Sequence, residues 1–160
     1  MIPDKLEKID WSQFLTFLDT TPGESKPTWA ELGIGITDYG IAFNPQGETE
    51  KWIIEKNART DHTSNQKQGR VSQKAYKGDP CFEFIHAGID KLNYKTHILD
   101  IDRWNGTDGS YPAKMSDGVV AITSYMGETA TIEYDLYYDG DTVEGTVSIA
   151  DGIPTFTPKA

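Results

Sequence analysis

Asp100 and Asp102 stand two residues apart with Arg103 beside them, and carboxylates at that spacing share one side of a β-strand. Paired carboxylates are the tools of glycoside hydrolysis, but that chemistry needs them on opposite sides of the bound sugar. Adjacent positions of one strand cannot straddle a substrate, so the pair reads as a solvated strand face. The histidines are His62, His86 and His97, and Cys81 is the one cysteine. No histidine has a partner at ligand spacing, and a single cysteine writes no zinc signature and no intrachain disulfide. The oxygen-bearing stretches 105–108 and 135–144 miss the spacing of a calcium loop. Phosphate-binding glycine loops and nucleophile elbows are also missing. No catalytic, metal-ligating or cofactor-binding residue is therefore assigned, no cofactor is expected, and the expectation is a binding or structural protein rather than an enzyme. Trp11, Trp29, Trp52 and Trp104 could line a sugar platform, which keeps a carbohydrate-binding β-sandwich as the alternative from another class. Aromatics at strand positions more often serve cores and interfaces.

The chain that must position these residues has 160 amino acids, a length expected to form a single domain (1–160) with a sizeable core. Its formal charge is −10, which argues against gripping phosphates by counterion release. The excess is uneven: residues 1–80 carry net −2 and residues 81–160 net −8. Between His62 and Gly78 the sign reverses, because Lys67, Arg70, Lys74 and Lys77 have no acidic residue among them. No apolar run reaches the length of a membrane span, and the first residues lack the basic patch and apolar stretch of a secretory signal. A soluble, cytosol-made domain with no membrane partner is expected.

Fifteen glycines and eight prolines punctuate the sequence at short intervals, the pattern of a mainly β, antiparallel domain with one minor helix. The clearest alternation runs Ala130, Ile132, Tyr134, Leu136, Tyr138 on one face against Thr131, Glu133 and Asp135 on the other. Asp139-Gly140-Asp141 reads as a turn, Val143, Val147 and Ile149 as the returning strand, and Asp151-Gly152 as a further turn. Together with Val119–Met126 this predicts a four-stranded meander from about Gly118 to Pro158. Upstream, strands are expected at Trp11–Leu18, Thr28–Leu32, Tyr39–Phe43, Glu50–Ile54 and Tyr94–Trp104. Asn57–Gln68 is polar and reads as a long loop, returning as a strand over Gly69–Tyr76, so that 57–75 forms a polar, basic loop with its return strand. Asp79-Pro80 opens the helix, with Asp79 as cap and Pro80 in the first turn. Asn105–Gly109 reads as a loop, and residues 1–10 as a short amphipathic turn or mobile N-terminal arm.

In order along the chain, Trp29-Ala30-Glu31-Leu32-Gly33-Ile34-Gly35-Ile36-Thr37, Phe43-Asn44-Pro45, Glu48-Thr49-Glu50-Lys51-Trp52-Ile53, Tyr76-Lys77-Gly78-Asp79-Pro80, Phe82-Glu83-Phe84-Ile85 and the ending Gly145–Ser148 … Gly152–Pro158 resemble the major tail, or tail tube, proteins of long-tailed phages and prophages of Gram-positive bacteria. The resemblance covers most of the chain, through motifs that are individually soft. It implies a β-sandwich or small barrel with one flanking α-helix. It further implies a virion protein, made in the bacterial cytoplasm, whose partner is itself: hexameric rings stack into a tube that also meets tape-measure and other tail proteins. DNA would pass through the lumen without specific binding, and the acidic excess would suit a wall that repels phosphates. A tail terminator or tube-initiating ring of the same fold is the nearest variant of this reading. In the family the long loop reaches a neighbouring subunit or the next ring, which makes Lys67, Arg70 and Lys74 the expected inter-subunit contact against an acidic surface.

Overall fold

The structure is a computed structural model that describes residues 2–107 and 109–160. Asp108, included above in a loop and an oxygen-ligand stretch, lies outside the described residues. The strands are β1 (Phe14–Asp19), β2 (Trp29–Glu31), β3 (Ile41–Ala42), β4 (Pro45–Glu50), β5 (Arg59–Asn65), β6 (Gln68–Lys74), β7 (Tyr94–Asp102), β8 (Tyr111–Met126), β9 (Thr131–Ala150) and β10 (Ile153–Pro158), with one helix, α1 (Pro80–Ala87). Eight of them form an antiparallel sheet in the order β2-β1-β7-β8-β9-β6-β3, with β10 also on β9. The two long strands organise it. The first part of β9 pairs with β6, from Thr131 opposite Lys74 to Tyr137 opposite Gln68, and its far part pairs with β10, from Gly145 opposite Pro158 to Ala150 opposite Ile153. This is the expected mainly β fold with one flanking helix, arranged as a β-sandwich.

Both faces of the sheet are apolar because neighbouring residues point to opposite sides. Leu18, Ile98, Val120, Leu136 and Tyr134 face the helix, where they bury Cys81, Phe84 and Ile85. Their neighbours Phe17 and Leu99, with Ile101, Ala113 and Val147, build a second cluster on the other face, against which Ile149 and Phe156 pack. Each Leu, Ile, Val or Phe among them contributes about 1.5–3 kcal/mol when fully buried. Gly145 admits β10 closely: a β-carbon there would collide with the Thr157 carbonyl oxygen and the Phe156 ring.

The helix begins where expected. Asp79 accepts from the Cys81 amide at 3.2 Å, and Pro80 occupies the first helical position. Gln73 donates to the other Asp79 oxygen at 2.8 Å and accepts from the Tyr134 hydroxyl at 2.9 Å, so a buried polar chain ties α1 to β6 and β9.

Several sequence expectations are corrected. Asn57–Gln68 is not a loop: Arg59–Asn65 is strand β5, paired with β4 in a separate two-stranded ribbon. Glu50–Ile54 is not a strand: Glu50 ends β4, and Trp52, Ile53 and Ile54 lie in the ribbon's turn. The C-terminal meander has three strands, because Asp139-Gly140-Asp141 lies inside β9. There Met115 pairs with Val143 and Asp117 with Asp139, so the extra residues of β9 bulge opposite Ser116 rather than reversing the chain. Val143, grouped in the sequence with Val147 and Ile149, is exposed, and Asp135, on the face opposite Ile132, Tyr134 and Leu136, is buried all the same. Trp11–Gln13 forms a 3-10 turn before β1, and Arg103–Asn105 another after β7. Strand β3 keeps two residues of the expected Tyr39–Phe43. Residues 2–10 carry no regular helical turn, and Ile2, Leu6 and Ile9 are exposed.

Candidate functional site

The β4–β5 ribbon is polar on both faces, and every one of its strand residues is exposed. Two of its cross-strand pairs are complementary: the Thr49 and Thr60 hydroxyls bond at 2.8 Å, and Glu50 stands opposite Arg59. At the tip Arg59 pairs with Glu55 and lies over the Trp52 ring, 4.1 Å from its centre. Ile53 and Ile54 beside them are almost wholly exposed. A two-stranded ribbon with apolar side chains at its tip is marginally stable alone in water. The sheet edges behave differently. Strands β2 and β3 are three and two residues long, and β10 carries Pro154 and Pro158, features that blunt an edge against further pairing.

The ribbon joins the body at a bend. Asn44 has φ +44°, and the Gln66 amide donates to the Phe43 carbonyl at 2.9 Å. Just past it, Lys67 turns inward, its ammonium over the rings of Tyr138 and Phe43 and 3.3 Å from the Thr142 hydroxyl. Burial lowers its pKa, partly offset by Asp100. Next to this contact an open cleft of about 270 Å³ is lined by Trp11, Phe14, Thr16, Tyr39, Phe43 and Asp100, among others.

Asp100 is the polar centre of that cleft. It accepts from Thr16 at 2.8 Å and from Tyr138 at 2.9 Å, and Tyr138 bonds Tyr39 at 2.9 Å. Burial raises the Asp100 pKa, against the opposing effect of these hydrogen bonds and of Lys67. Burial, with Asp100 beside them, also pushes both tyrosine hydroxyls well above their usual range. Each Asp100 oxygen thus serves as an acceptor in a network that pins the ribbon's base to the sheet. The reading of Asp100 as solvated strand face is therefore corrected. The covering segment comes from some sixty residues upstream, and only the shared parity of Ala130 to Tyr138 could have pointed to an inward Tyr138.

The three basic residues singled out in the sequence part company. Arg70 and Lys74 lie exposed on one face of β6, while Lys67 is turned into the ribbon's base. Arg70 binds Asp135 through Nε at 3.2 Å. The histidines are also apart: His62 bonds Asn65 and Ser64 on the ribbon, His86 stacks edge-on with Tyr125, and His97 bridges Asp19 at 2.9 Å and Asp117 at 3.3 Å. Among the described residues no three ligating side chains converge on a metal position, and no helix is long and apolar enough to cross a membrane. Trp11, Trp52 and Trp104 are about half exposed. No protein-family model matches the chain, and no curated protein matches it.

Proposed function

We propose that this chain is a self-assembling structural subunit of the phage tail-tube kind, closing into hexameric rings that stack into a conduit for DNA. One observation carries the reading: a projecting β4–β5 ribbon, exposed along its whole length and tipped by Trp52, Ile53 and Ile54. Such a ribbon becomes stable when a neighbouring molecule covers it, and a head-to-tail contact of this kind closes rings. The net charge of −10 accords with a lumen that lets DNA pass without sticking. Light scattering across a concentration series, with negative-stain electron microscopy of each fraction, tests the proposal. Rings or hollow tubes are expected. A chain that stays monomeric at all concentrations, even with tape-measure and baseplate components added, overturns it. Single rings that never stack would favour a terminator or tube-initiating role instead.

The half-exposed Trp11 beside Asp100 and Asp102 in the cleft favours one second reading, a carbohydrate-binding module. Its signature is a change in tryptophan fluorescence on adding oligosaccharides, lost in Trp11→Ala.

A further inference from the structure

We propose that one face of the β4–β5 ribbon docks on Arg70 of a second copy of this chain, with Glu48 and Asp61 as the groups that Arg70 receives. The proposal rests on the self-assembly reading above and names the contact that would drive it.

The ribbon's two faces differ. Glu48, Glu50, Arg59 and Asp61 share one face, whereas Gly47, Thr49, Thr60 and His62 share the other, as the pairs Gly47–His62, Glu48–Asp61, Thr49–Thr60 and Glu50–Arg59 require. Glu48 and Asp61 stand directly opposite each other, and like charges in that position destabilise a strand pair. Arg59 does not neutralise them, because it is drawn to Glu55 and Trp52 at the tip. Among the described residues neither Glu48 nor Asp61 takes part in an ion pair. The ribbon therefore carries an uncovered face with a net negative charge and an internal repulsion that an external cation would relieve.

Two carboxylates side by side are best met by the planar fork of an arginine. The chain has three arginines. Arg59 lies over Trp52 and Arg103 over Tyr111. Arg70 differs: its Nε is held by the buried Asp135, while the side chain is 75% exposed. That internal bond fixes the guanidinium and leaves its terminal amino groups for an outside acceptor. Lys74, exposed on the same face of β6, adds positive charge, while Glu133, opposite Ser72 on β9, stands between the two cations and leaves Arg70 as the receptor's anchor.

The contact requires another molecule. Within one chain Arg70 pairs with Asp135 and with neither Glu48 nor Asp61, which lie beyond the bend at Asn44. Because ribbon and receptor are different patches, the contact is head-to-tail and propagates into a ring or filament rather than ending at a dimer.

Charge reversal in the full-length chain tests this. The variant Glu48→Lys/Asp61→Lys and the variant Arg70→Glu should each need about a tenfold or greater rise in concentration to assemble in sedimentation velocity. An equimolar mixture of the two should recover assembly, since each then finds an opposite charge on the other. Asp135 loses its partner in Arg70→Glu, so far-UV circular dichroism and urea unfolding accompany each variant. Arg70→Gln keeps a donor for Asp135 and should also lose assembly. If folded variants assemble like the parent, or the mixture fails to recover, the contact is wrong while the self-assembly reading stands. If the parent itself never assembles, both fall together.

Discussion

The Lys67 ammonium lies 4.7 Å from the centre of the Tyr138 ring, at the point where the β4–β5 ribbon leaves the sheet. A residue that reads in the sequence as part of a surface patch is thus a clasp between ribbon and body. Lys67→Met keeps most of the stem and removes the charge. We expect a loss of about 1 kcal/mol or less, the scale of an exposed cation–π contact. Limited proteolysis should also cut the ribbon faster than in the parent, while parental stability and cleavage rates would refute the clasp.

Tyr138 links Asp100 to Tyr39 through its hydroxyl. Tyr138→Phe leaves an Asp100 oxygen without its tyrosine donor in a half-buried setting, at a cost of about 1–3 kcal/mol. Urea unfolding followed by tryptophan fluorescence measures it. Tyr39→Phe should cost less, because it removes only the outer link of the chain.

Asp100 gives the fold a particular response to acid. Its pKa is raised, chiefly by burial, so the native state holds this proton more tightly than the unfolded chain, whose carboxyl titrates near about 3.9. That contribution to stability is fully present below the unfolded value and is lost as pH rises through the raised native one. Asp100→Asn removes the titration. The stability of the parent relative to Asp100→Asn should therefore be greatest in acid and decline toward neutrality, in urea melts at stepped pH. A difference that does not vary with pH would refute the assignment.

Cys81 is fully buried under the helix, and burial, with Asp79 nearby, pushes its thiol up to about 12. At pH 8 the native protein should be inert to a thiol-directed disulfide reagent over the time in which urea-unfolded protein reacts completely. Fast labelling of the native chain would mean that α1 opens readily from the sheet.

What could be read along the chain was whatever is local. The run Ile132 to Tyr138 identifies its inner face because apolar residues recur with the period of a strand, although Ala130, read as its first member, lies exposed in the preceding turn. Asp79-Pro80 marks a helix start because cap and first turn are adjacent residues. The ribbon escapes the same reading. Its strands are polar on both faces, so Arg59–Asn65 has no apolar alternation to announce it, and the apolar Trp52-Ile53-Ile54 falls in the turn. Asp139-Gly140-Asp141 carries turn chemistry, yet the pairing of β8 on either side keeps β9 running through it.

Composition and periodicity by themselves determined a mainly β, acidic chain with one capped helix, because these depend on neighbouring residues and on sums over all of them. The tertiary structure alone decided that Asp100, Tyr138, Tyr39 and Lys67 meet, that Lys67 separates from Arg70 and Lys74, and that the ribbon stands free. Each of these depends on which distant segment comes to cover a side chain. Burial and pairing across more than thirty residues leave no periodic trace in any one stretch of sequence.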